Sequence, residues 1–364
     1  MAGKFQIQRL DKTPFPGAPV LAEGKNGFDA NRVRMNLNEA PYPPSPKSSA
    51  AALAAMQFAN RYPDNGYTVL ASLIAEQTGI PAERINFGTG SSEILMSVTM
   101  ISINQGDNAI MPSPTFPACS KGVHLAGGTV SNVPLRQDGI NDVEAMLAAI
   151  DDHTRLFYLC TPNNPTGGML SSKALEKAAS DVPENCLLVI DEAYFEFGQK
   201  EGGADVLAIL ADRAGPWVVT RSFSKAYCLA GMRVGYSLAS DIQIQSALAQ
   251  MRNSFNIARP SIAAASAALE DQTYLDNTLT QTIGERRRLS VGLERLGFKP
   301  FISFANFLSL RPPIKAQEIE RKLAEKNFLV QAIGWPDEKG MLRITIDSRE
   351  NNDRVVAAIG EIVG

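Results

Sequence analysis

The sequence predicts an α/β fold in which a large domain is built on a mostly parallel, seven-stranded sheet and a smaller α+β domain follows it. The 364 residues exceed what one compact core usually accommodates, so two domains are expected. Short apolar runs alternate with helical stretches over the first two thirds of the chain, which is typical of parallel sheets covered by helices. After about residue 260 the alternation gives way to long charged helices and shorter apolar segments.

The seven apolar runs are expected to be the strands of the large sheet. Most are separated by segments with apolar residues at helical spacing, among them 92–103, 143–150 and 171–179. Before them, helices are predicted at 50–58 and at 68–78, the second ending at a glycine. The seven runs are 84–87, 108–111, 129–133, 156–160, 187–190, 217–220 and 234–238.

The chain divides into three parts by its composition. Residues 1–46 are rich in proline and glycine and end in LNEAPYPPSP, which disfavours a long helix and indicates an extended arm. Residues 47–260 are assigned to the large domain and residues 261–364 to the small one, where apolar runs such as MLRITID lie between helices. The arm is expected to pack against the small domain or against a partner subunit.

Composition argues against several classes of function. A net charge of −3 gives no reason to expect a nucleic acid or an anionic membrane as partner, and no apolar run approaches the about 20 residues that span a bilayer. The first residues lack the apolar core of a signal peptide. Four cysteines without a CxxC pair and two histidines, His124 and His153, make a disulfide framework, a metal site or a histidine triad improbable. A cytoplasmic protein without a metal is expected.

Polar motifs follow the predicted strands, at the edge where parallel sheets bind their ligands. GTGSSE follows the first run and opens a helix, so amides near Ser91 and Ser92 can hold a phosphate. Phe116 follows the second run and can stack on a flat ring, although an aromatic residue there is more often part of the core. Asn163 and Asn164 stand between prolines after another run, which suits either fixed hydrogen bonds to a ligand or a tight turn.

Charged side chains follow two further runs. Asp191 ends an apolar run with Tyr194 close behind it; being poorly solvated, it needs a positive partner such as a protonated pyridine nitrogen or a buried arginine. Lys225 lies in TRSFSKAYCLAGMRVG, between two serines and before Arg233. A lysine amine attacks carbonyl carbon when burial or nearby positive charge lowers its pKa, whereas a solvated lysine in a surface turn is the alternative for this stretch alone. Arg343, inside the apolar run MLRITI, is costly to bury without an anion, either a ligand or a structural ion pair.

Together these motifs describe one ligand. They offer sites for a phosphate, a flat ring, a ring nitrogen that needs an anion, a phenolic oxygen and an aldehyde that reacts with lysine. Pyridoxal phosphate carries all five features.

The motifs resemble those of the fold-type-I pyridoxal-phosphate aminotransferases of class I/II, and within them the histidinol-phosphate aminotransferase group. The resemblance covers nearly the whole chain and rests on LNEAPYPPSP, RYPD, GTGSSE, PNNPTG, DEAY, RSFSKAYCLAGMRVGY, ANF and LRIT, in that order. It implies a homodimeric transaminase that moves an amino group from a small-molecule donor to a 2-oxo acid such as 2-oxoglutarate.

The resemblance implies a role for each matching residue. Lys225 would bind the cofactor covalently and move the proton at the substrate's α-carbon, and Asp191 would pair with the pyridinium nitrogen. Tyr194 and Asn164 would hydrogen-bond the phenolic oxygen, and Phe116 would stack on the ring. The remaining residues would hold the anionic groups: Ser91, Ser92, Ser222, Ser224, Arg233 and, from the other subunit, Tyr62 at the phosphate, and Arg343 at the α-carboxylate, with Asn306 placing that arginine or the substrate.

Three positions depart from the pattern of a histidinol-phosphate enzyme. The family usually has tyrosine where TPFPG has Phe15, often tyrosine where RNSFNIA has Phe255, and usually arginine where FLVQAIG has Gln331. In the family these positions help to hold the distal phosphate of the substrate, and losing one charge-assisted contact costs roughly 1.5–3 kcal/mol. The sequence therefore favours an aromatic or otherwise apolar amino acid, such as phenylalanine or tyrosine, as the donor.

Two other functions are compatible with parts of the pattern. A decarboxylase of the threonine-phosphate type shares the RYPD, PNNPTG and arginine signatures, although RSFSKAYCLAGMRVGY is more like the transaminases. A non-enzymatic ligand sensor on the same fold is disfavoured, because every catalytic position is filled and no DNA-binding extension accompanies the motifs.

Overall fold

The seven apolar runs are all strands of one sheet in the structure, a computed structural model that describes residues 31–364. With the short strand β1 (Val33–Arg34) counted first, they are β2 (Ile85–Gly88), β3 (Asn108–Ser113), β4 (Thr129–Pro134), β5 (Thr154–Cys160), β6 (Leu187–Asp191), β7 (Trp217–Ser222) and β8 (Gly235–Ala239). Their order across the sheet is β2-β8-β7-β6-β5-β3-β4. Neighbouring strands are parallel except around β8, which is antiparallel to both β2 and β7. The predicted α/β fold with a mostly parallel sheet is therefore confirmed.

Helices cover the large sheet and bury its central strands. Every residue of β6 is buried, which explains why its sequence, LLVID, is apolar up to the final aspartate rather than alternating. The helices of this part are α1 (Pro46–Met56), α2 (Thr68–Thr78), α3 (Ser91–Ser102), α4 (Ala118–Ala126), α5 (Val143–Ala148), α6 (Ser172–Asp181), α7 (Phe195–Lys200), α8 (Val206–Ala211) and α9 (Ile242–Met251).

The first helix begins earlier than the sequence predicts. α1 starts at Pro46 and not at residue 50, because proline fits the first helical turn, where its missing N–H costs no hydrogen bond. The hydroxyl of Ser45 accepts a hydrogen bond from the amide of Ser48 and so caps this end of the helix. The bounds of α2 agree with the prediction, and it ends at Gly79 with a φ of 70°, a conformation that favours glycine.

The C-terminal part forms a second, antiparallel sheet in the order β12-β13-β10-β9. The apolar core of this part lies between the sheet, α12, α13 and the end of α11. Its elements are α10 (Arg259–Glu270), α11 (Gln272–Glu294), β9 (Lys299–Pro300), β10 (Phe307–Arg311), α12 (Ala316–Glu325), β11 (Phe328–Leu329), β12 (Gln331–Ile333), β13 (Met341–Thr345) and α13 (Arg349–Val363).

The segment before α1 connects the two parts. β1 pairs in parallel with β11, and Met35 is buried in the core of the small sheet. Residues 36–39 then line a cleft at the end of the large sheet.

The packing changes from one core to the other inside α11 and not at residue 261. Ala264 in α10 and Ile283 in α11 belong to the core of the large sheet, whereas Leu289 and Leu293 belong to the core of the small sheet. We therefore propose a two-domain division within α11, with residues 31–35 of the arm counted with the small domain, instead of a boundary between residues 260 and 261.

Across residues 31–364, no helix combines the length and the apolar character needed to cross a membrane. All four cysteines are free thiols; Cys119, Cys160 and Cys186 are buried and Cys228 is partly exposed.

Candidate active site

A cleft of about 620 Å³ opens where β5, β6 and β7 end. Its walls come from the ends of these strands, from residues 36–39 and from β12 and β13 of the small sheet. This volume lies within the range of pockets that hold small ligands. The predicted site residues that line the cleft are Ser91, Ser92, Phe116, Asn164, Asp191, Tyr194, Ser222, Ser224, Lys225, Arg233, Gln331 and Arg343.

One side of the cleft is suited to an anion. Helix α3 starts at Ser91 directly after Gly90, so no capping side chain takes up the amides of its first turn. Ser222 at the end of β7 and Ser224 in the following turn line the same cleft with their hydroxyl-bearing side chains. The positive end of the helix dipole and these donors favour a phosphate group.

Arg233 supplies the positive charge beside α3. Its guanidinium donates to the hydroxyl of Ser224 over 3.4 Å and to the carbonyl of Thr89 over 3.1 Å. Gly90 permits this approach: it has a φ of 85°, and a Cβ at this position would overlap Nη2 of Arg233. The glycine turn and the arginine therefore hold each other in place.

Asp191, the last residue of β6, is only 1% exposed. Its carboxylate accepts hydrogen bonds from the hydroxyls of Tyr158 (2.9 Å) and Thr220 (3.2 Å) and from the amide of Ala193 (3.2 Å). Burial raises the pKa of the carboxyl group, against the effect of these donors. Because it forms no salt bridge within residues 31–364, this buried carboxylate suits a cationic group on a ligand.

Lys225 lies in the turn after β7, and its amine donates to the carbonyls of Asn38 (3.0 Å) and Leu37 (3.3 Å). Its pKa is lowered from 10.5 to about 8, because burial disfavours the ammonium and the charges of Arg343 and Arg233 add to this effect. A substantial fraction of the amine is therefore neutral, and thus nucleophilic, at mildly alkaline pH.

Tyr194 and Asn164 line the cleft as hydrogen-bonding groups. The hydroxyl of Tyr194 accepts a hydrogen bond from Nδ2 of Asn38 over 2.9 Å. Oδ1 of Asn164 accepts one from Nη1 of Arg343 over 2.6 Å, so its Nδ2 remains as the donor for a ligand.

The neighbouring asparagine has a structural role. Asn163 is fully buried, donates to the hydroxyl of Thr166 over 2.9 Å and accepts from that of Thr115 over 2.9 Å. For Asn163 the tight-turn interpretation therefore describes the structure, whereas Asn164 faces the cleft.

Arg343 extends from β13 into the wall of the cleft and is buried. Besides Asn164 it contacts the carbonyl of Asn36, which accepts from Nη2 over 2.5 Å, and its Nε has no partner within residues 31–364. Burial lowers the pKa of the guanidinium to about 10. No carboxylate of the described chain pairs with Arg343, so the structural ion pair is not observed, and a carboxylate ligand would satisfy the guanidinium.

Two predicted substrate-binding residues differ in their placement. Gln331 on β12 is the cross-strand neighbour of Arg343 and lines the cleft. Asn306 lies behind the wall: it is buried, and its Nδ2 donates to the carbonyl of Asn38 over 3.0 Å. The contact observed for Asn306 is with the arm, and its role in placing Arg343 or the substrate stays a prediction.

Tyr62 and Phe255 lie outside the cleft of their own chain. Their rings stack with 4.7 Å between centroids and 22° between planes, and Tyr62 is 77% exposed. The amide of Phe255 donates to Oδ1 of Asn65 over 2.9 Å, which ties the two loops together. Both rings are therefore presented to the surroundings and not to this chain's own cleft. Phe15 lies outside the described residues.

Residues 30–359 match the family model of aminotransferase class I and II. The chain belongs to this family. A histidinol-phosphate aminotransferase from Anoxybacillus flavithermus is 33% identical over 363 residues, which cover 99% of this chain and 96% of that protein. Histidinol-phosphate aminotransferase 2 from Caulobacter vibrioides is 36% identical over 369 residues, covering 97% and 96% of the two chains.

Solved structures agree with this assignment. The crystal structure of histidinol-phosphate aminotransferase from Sinorhizobium meliloti in complex with pyridoxal-5′-phosphate superposes with a TM-score of 0.86 at 28% identity, covering 91% of this chain and 90% of that one. The resemblance read from the motifs is confirmed: this is a pyridoxal-phosphate-dependent aminotransferase of the histidinol-phosphate aminotransferase-like group.

The cleft of this aminotransferase fits its cofactor. A buried carboxylate without a salt bridge, Asp191, suits a protonated ring nitrogen, and the start of α3 with Arg233 suits the phosphate. The amine of Lys225 is available to an aldehyde, and Phe116 lines the same cleft as a flat, partly buried ring. Each of these groups thus suits a different part of pyridoxal phosphate: the ring nitrogen, the phosphate, the aldehyde and the ring face.

Two parts of the site were missed by sequence reasoning. The arm was predicted as a packing segment, but residues 36–39 line the cleft and Asn38 bonds to Tyr194. Tyr158, which donates to Asp191, looks like a core aromatic in the run LFYLC. The available signal was its hydroxyl, because a tyrosine in a fully buried strand needs a hydrogen-bond partner.

Proposed function

We propose that this aminotransferase takes the amino group from an aromatic or otherwise apolar L-amino acid, such as phenylalanine or tyrosine, and passes it to a 2-oxo acid, for which 2-oxoglutarate is the first candidate. The observation that carries the proposal is Gln331, a neutral side chain beside Arg343 in the cleft wall. Histidinol phosphate, after which the relatives are named, is the competing donor.

The charges of the cleft support an uncharged substrate side chain. Within residues 31–364 its cationic lining consists of Lys225, Arg233 and Arg343. We assign these to the cofactor aldehyde, the cofactor phosphate and the substrate α-carboxylate, so none is left for a second phosphate. Glu39, the acidic residue of the lining besides Asp191, forms an ion pair with Arg34 over 2.5 Å, so this part of the wall brings no net positive charge for a phosphate.

Bound in this cleft, pyridoxal phosphate supplies an aldehyde for amines and a conjugated ring that takes up the electron pair released at the substrate's α-carbon. Arg343 would bind the α-carboxylate with its guanidinium fork and so orient the α-carbon. Lys225, with a pKa of about 8, would take the proton from that carbon and deliver it to C4′ of the cofactor, because its amine changes protonation readily near the working pH.

The other residues would tune the ring. Asp191, held by three hydrogen bonds, would keep the ring nitrogen protonated. Tyr194 and Asn164 would donate to the phenolic oxygen, and Phe116 would stack on the ring face. Ser91, Ser92, Ser222, Ser224 and Arg233 would hold the phosphate.

We further propose a homodimer in which Tyr62 reaches the phosphate in the site of the partner subunit, accompanied by Phe255. Tyr62 is exposed and lies outside the cleft of its own chain, and Leu53, Met56 and Phe58 expose apolar side chains in the segment before it. An exposed apolar surface of this kind supports contact with a second copy. The free thiols suit a reducing compartment, the cytoplasm.

A half-reaction screen tests the donor. The cofactor spectrum is followed while phenylalanine, tyrosine and histidinol phosphate are added separately, and kcat/KM is measured for each with 2-oxoglutarate. We expect preference for the aromatic donors. In Gln331→Arg, the value for histidinol phosphate should rise by about tenfold or more, since a charge-assisted phosphate contact is worth roughly 1.5–3 kcal/mol.

Three results of these measurements would contradict the proposal. A clear preference of the unaltered enzyme for histidinol phosphate would refute the aromatic donor. Release of carbon dioxide in place of a 2-oxo acid would replace transamination by decarboxylation. A spectrum that is the same in Lys225→Ala would refute the covalent role of this lysine. Gln281→Arg, at an exposed position of α11 outside the cleft, adds the same single charge and is the matched control; it should leave the donor ranking unchanged.

A further inference from the structure

Asn38 uses every polar group it has, although it is only 2% exposed. Its amide N–H donates to Oγ1 of Thr345 over 3.0 Å, and its Oδ1 accepts from the same Thr345 hydroxyl over 3.1 Å. Its Nδ2 donates to the hydroxyl of Tyr194 over 2.9 Å. Its carbonyl accepts from Asn306 and from Lys225, each over 3.0 Å.

The backbone N–H of Asn38 can only donate, and this fixes the direction of the other hydrogen bonds in the group. The backbone N–H of Asn38 donates to Thr345, so the Thr345 oxygen accepts there and its own proton is available for another partner. That proton goes to the side chain of Asn38, so the atom facing Thr345 is the acceptor Oδ1. The donor Nδ2 consequently faces Tyr194.

Tyr194 is the last member of this chain of hydrogen bonds. Its oxygen accepts from Asn38, which is its one hydrogen-bond partner among the described residues, and its proton is therefore not used by Asn38. The Tyr194 side chain lines the cleft. The remaining direction for the O–H proton is into the cleft.

We propose that Asn38 is a positioning residue that, oriented by Thr345, directs the hydroxyl proton of Tyr194 into the cleft as a donor to an anionic oxygen of the cofactor. This inference rests on the proposed role of Tyr194 at the phenolic oxygen. The left-handed φ of 54° at Asn38 is part of the arrangement, because it lets the amide, the carbonyl and the side chain of one residue reach four partners, which are Thr345, Tyr194, Asn306 and Lys225. Asparagine is among the few residues besides glycine that adopt this conformation readily.

The visible absorbance of the cofactor-loaded enzyme, titrated with pH, reports on this donor without measuring turnover. A donor to the phenolic oxygen stabilises its anion and lowers the pKa of the lysine-bound chromophore. Asn38→Asp has nearly the same shape and tolerates the same φ, but its carboxylate accepts the Tyr194 proton and turns it away from the cleft. We expect the chromophore pKa to rise by about one unit, as for the loss of one hydrogen bond to a charged group.

A double-mutant cycle separates this effect from the added charge of aspartate. In a Tyr194→Phe background there is no proton to redirect, so Asn38→Asp should then shift the chromophore pKa only by the effect of the added charge, which is smaller than the shift in the Tyr194 background. Thr345→Val, which adds no charge, should raise the pKa in the same direction, because the amide loses the group that orients it. Thr345→Ser keeps the hydroxyl, so its chromophore pKa should equal that of the unaltered enzyme.

The outcomes differ for the inference and for the function beneath it. An equal shift from Asn38→Asp in both backgrounds, or no shift in Thr345→Val, would overturn the role of Asn38 while leaving the cofactor site intact. If the chromophore pKa of Tyr194→Phe equals that of the unaltered protein, both the positioning role of Asn38 and the proposed role of Tyr194 are overturned. Arg343 and Asp191, the charged residues that influence Tyr194, are unchanged in all these variants.

Discussion

At the scale of single residues, the surroundings of Lys225 decide its chemistry. Burial, with the positive charges of Arg343 and Arg233, lowers the pKa of its amine from 10.5 to about 8, although Glu39 and Asp191 act in the opposite direction. Between these two values an unfolded chain binds more protons at this lysine than the folded one. The contribution of this group to stability therefore rises with pH across that interval, and below it the buried ammonium opposes folding.

The same pKa predicts how the ligand-free protein captures its cofactor. Only the neutral amine attacks an aldehyde, so the rate at which added pyridoxal phosphate forms the lysine-bound chromophore should rise with pH, with a midpoint near 8. Stopped-flow absorbance measures this rate. Arg343→Gln removes one of the charges that lower the pKa, so its midpoint should move upward. A midpoint near 10.5 in the unaltered protein would contradict the assigned environment of Lys225.

At the scale of elements, backbone geometry shapes the turn between β2 and α3, where we propose that the cofactor phosphate binds. Gly90 has a φ of 85° and lies against Arg233, and Gly235 at the start of β8 lies against the amide of Ser91. A side chain at Gly90 would displace Arg233, and one at Gly235 would push β8 away from the start of α3. The proposed anion site thus depends on the close approach of the backbone at Gly90 and Gly235 as much as on the charge of Arg233.

Gly90→Ala should therefore weaken cofactor binding through Arg233. Loss of a charge-assisted contact of roughly 1.5–3 kcal/mol predicts a Kd for pyridoxal phosphate that is about tenfold or more higher. Gly106→Ala is the matched control, because Gly106 has a similar φ of 93° but an added Cβ would meet no atom within 4 Å. Both variants should also lose stability, roughly 1–3 kcal/mol, because alanine disfavours a positive φ. Fluorescence titration that gives equal Kd values for the two would contradict the steric argument.

The helices and strands were the features that the sequence predicted best. The seven strands could be predicted because each is an apolar run between helices, and the bounds of α2 because Gly79 ends it. The antiparallel direction of β8 could not, because an apolar run carries no sign of its direction.

The site was predictable where a motif follows a strand, as for Asp191 and Lys225. The role of Asn38 was not, because its contacts with Tyr194 and Thr345 join residues 156 and 307 positions apart and leave no local pattern. Asn306 illustrates the same limit: its motif was recognised, but its partner on the arm depends on tertiary structure.

At the scale of the whole molecule, the cleft is assembled from three separate parts of the chain. The large sheet contributes Lys225 and Asp191, the small sheet Arg343, and the arm Asn38, whose carbonyl joins Lys225 to Asn306. Arg343 also contacts the arm, at the carbonyl of Asn36, so the arm touches both the arginine and the lysine. The proposed fourth contribution, Tyr62 of the partner subunit, would make each site depend on two chains.

This dependence can be tested with mixed dimers of differently tagged subunits. When a Lys225→Ala chain pairs with a Tyr62→Ala chain, the remaining Lys225 receives an intact Tyr62 only if that tyrosine acts across the interface. Half of the sites should then bind pyridoxal phosphate with the affinity of the unaltered enzyme, measured by chromophore titration.

The control dimer places both substitutions on one chain and leaves the other unaltered. It has the same composition, but its one Lys225 lies opposite an alanine, so cofactor affinity should fall to that of the Tyr62→Ala homodimer. If Tyr62 acted within its own chain, the two dimers would exchange behaviour, because the unaltered chain would then complete its own site. Equal affinity in both would mean that Tyr62 does not contact the cofactor. Both dimers contain the same two substitutions and therefore have the same overall composition and charge. They differ only in whether the intact Tyr62 lies on the same chain as the remaining Lys225 or on its partner.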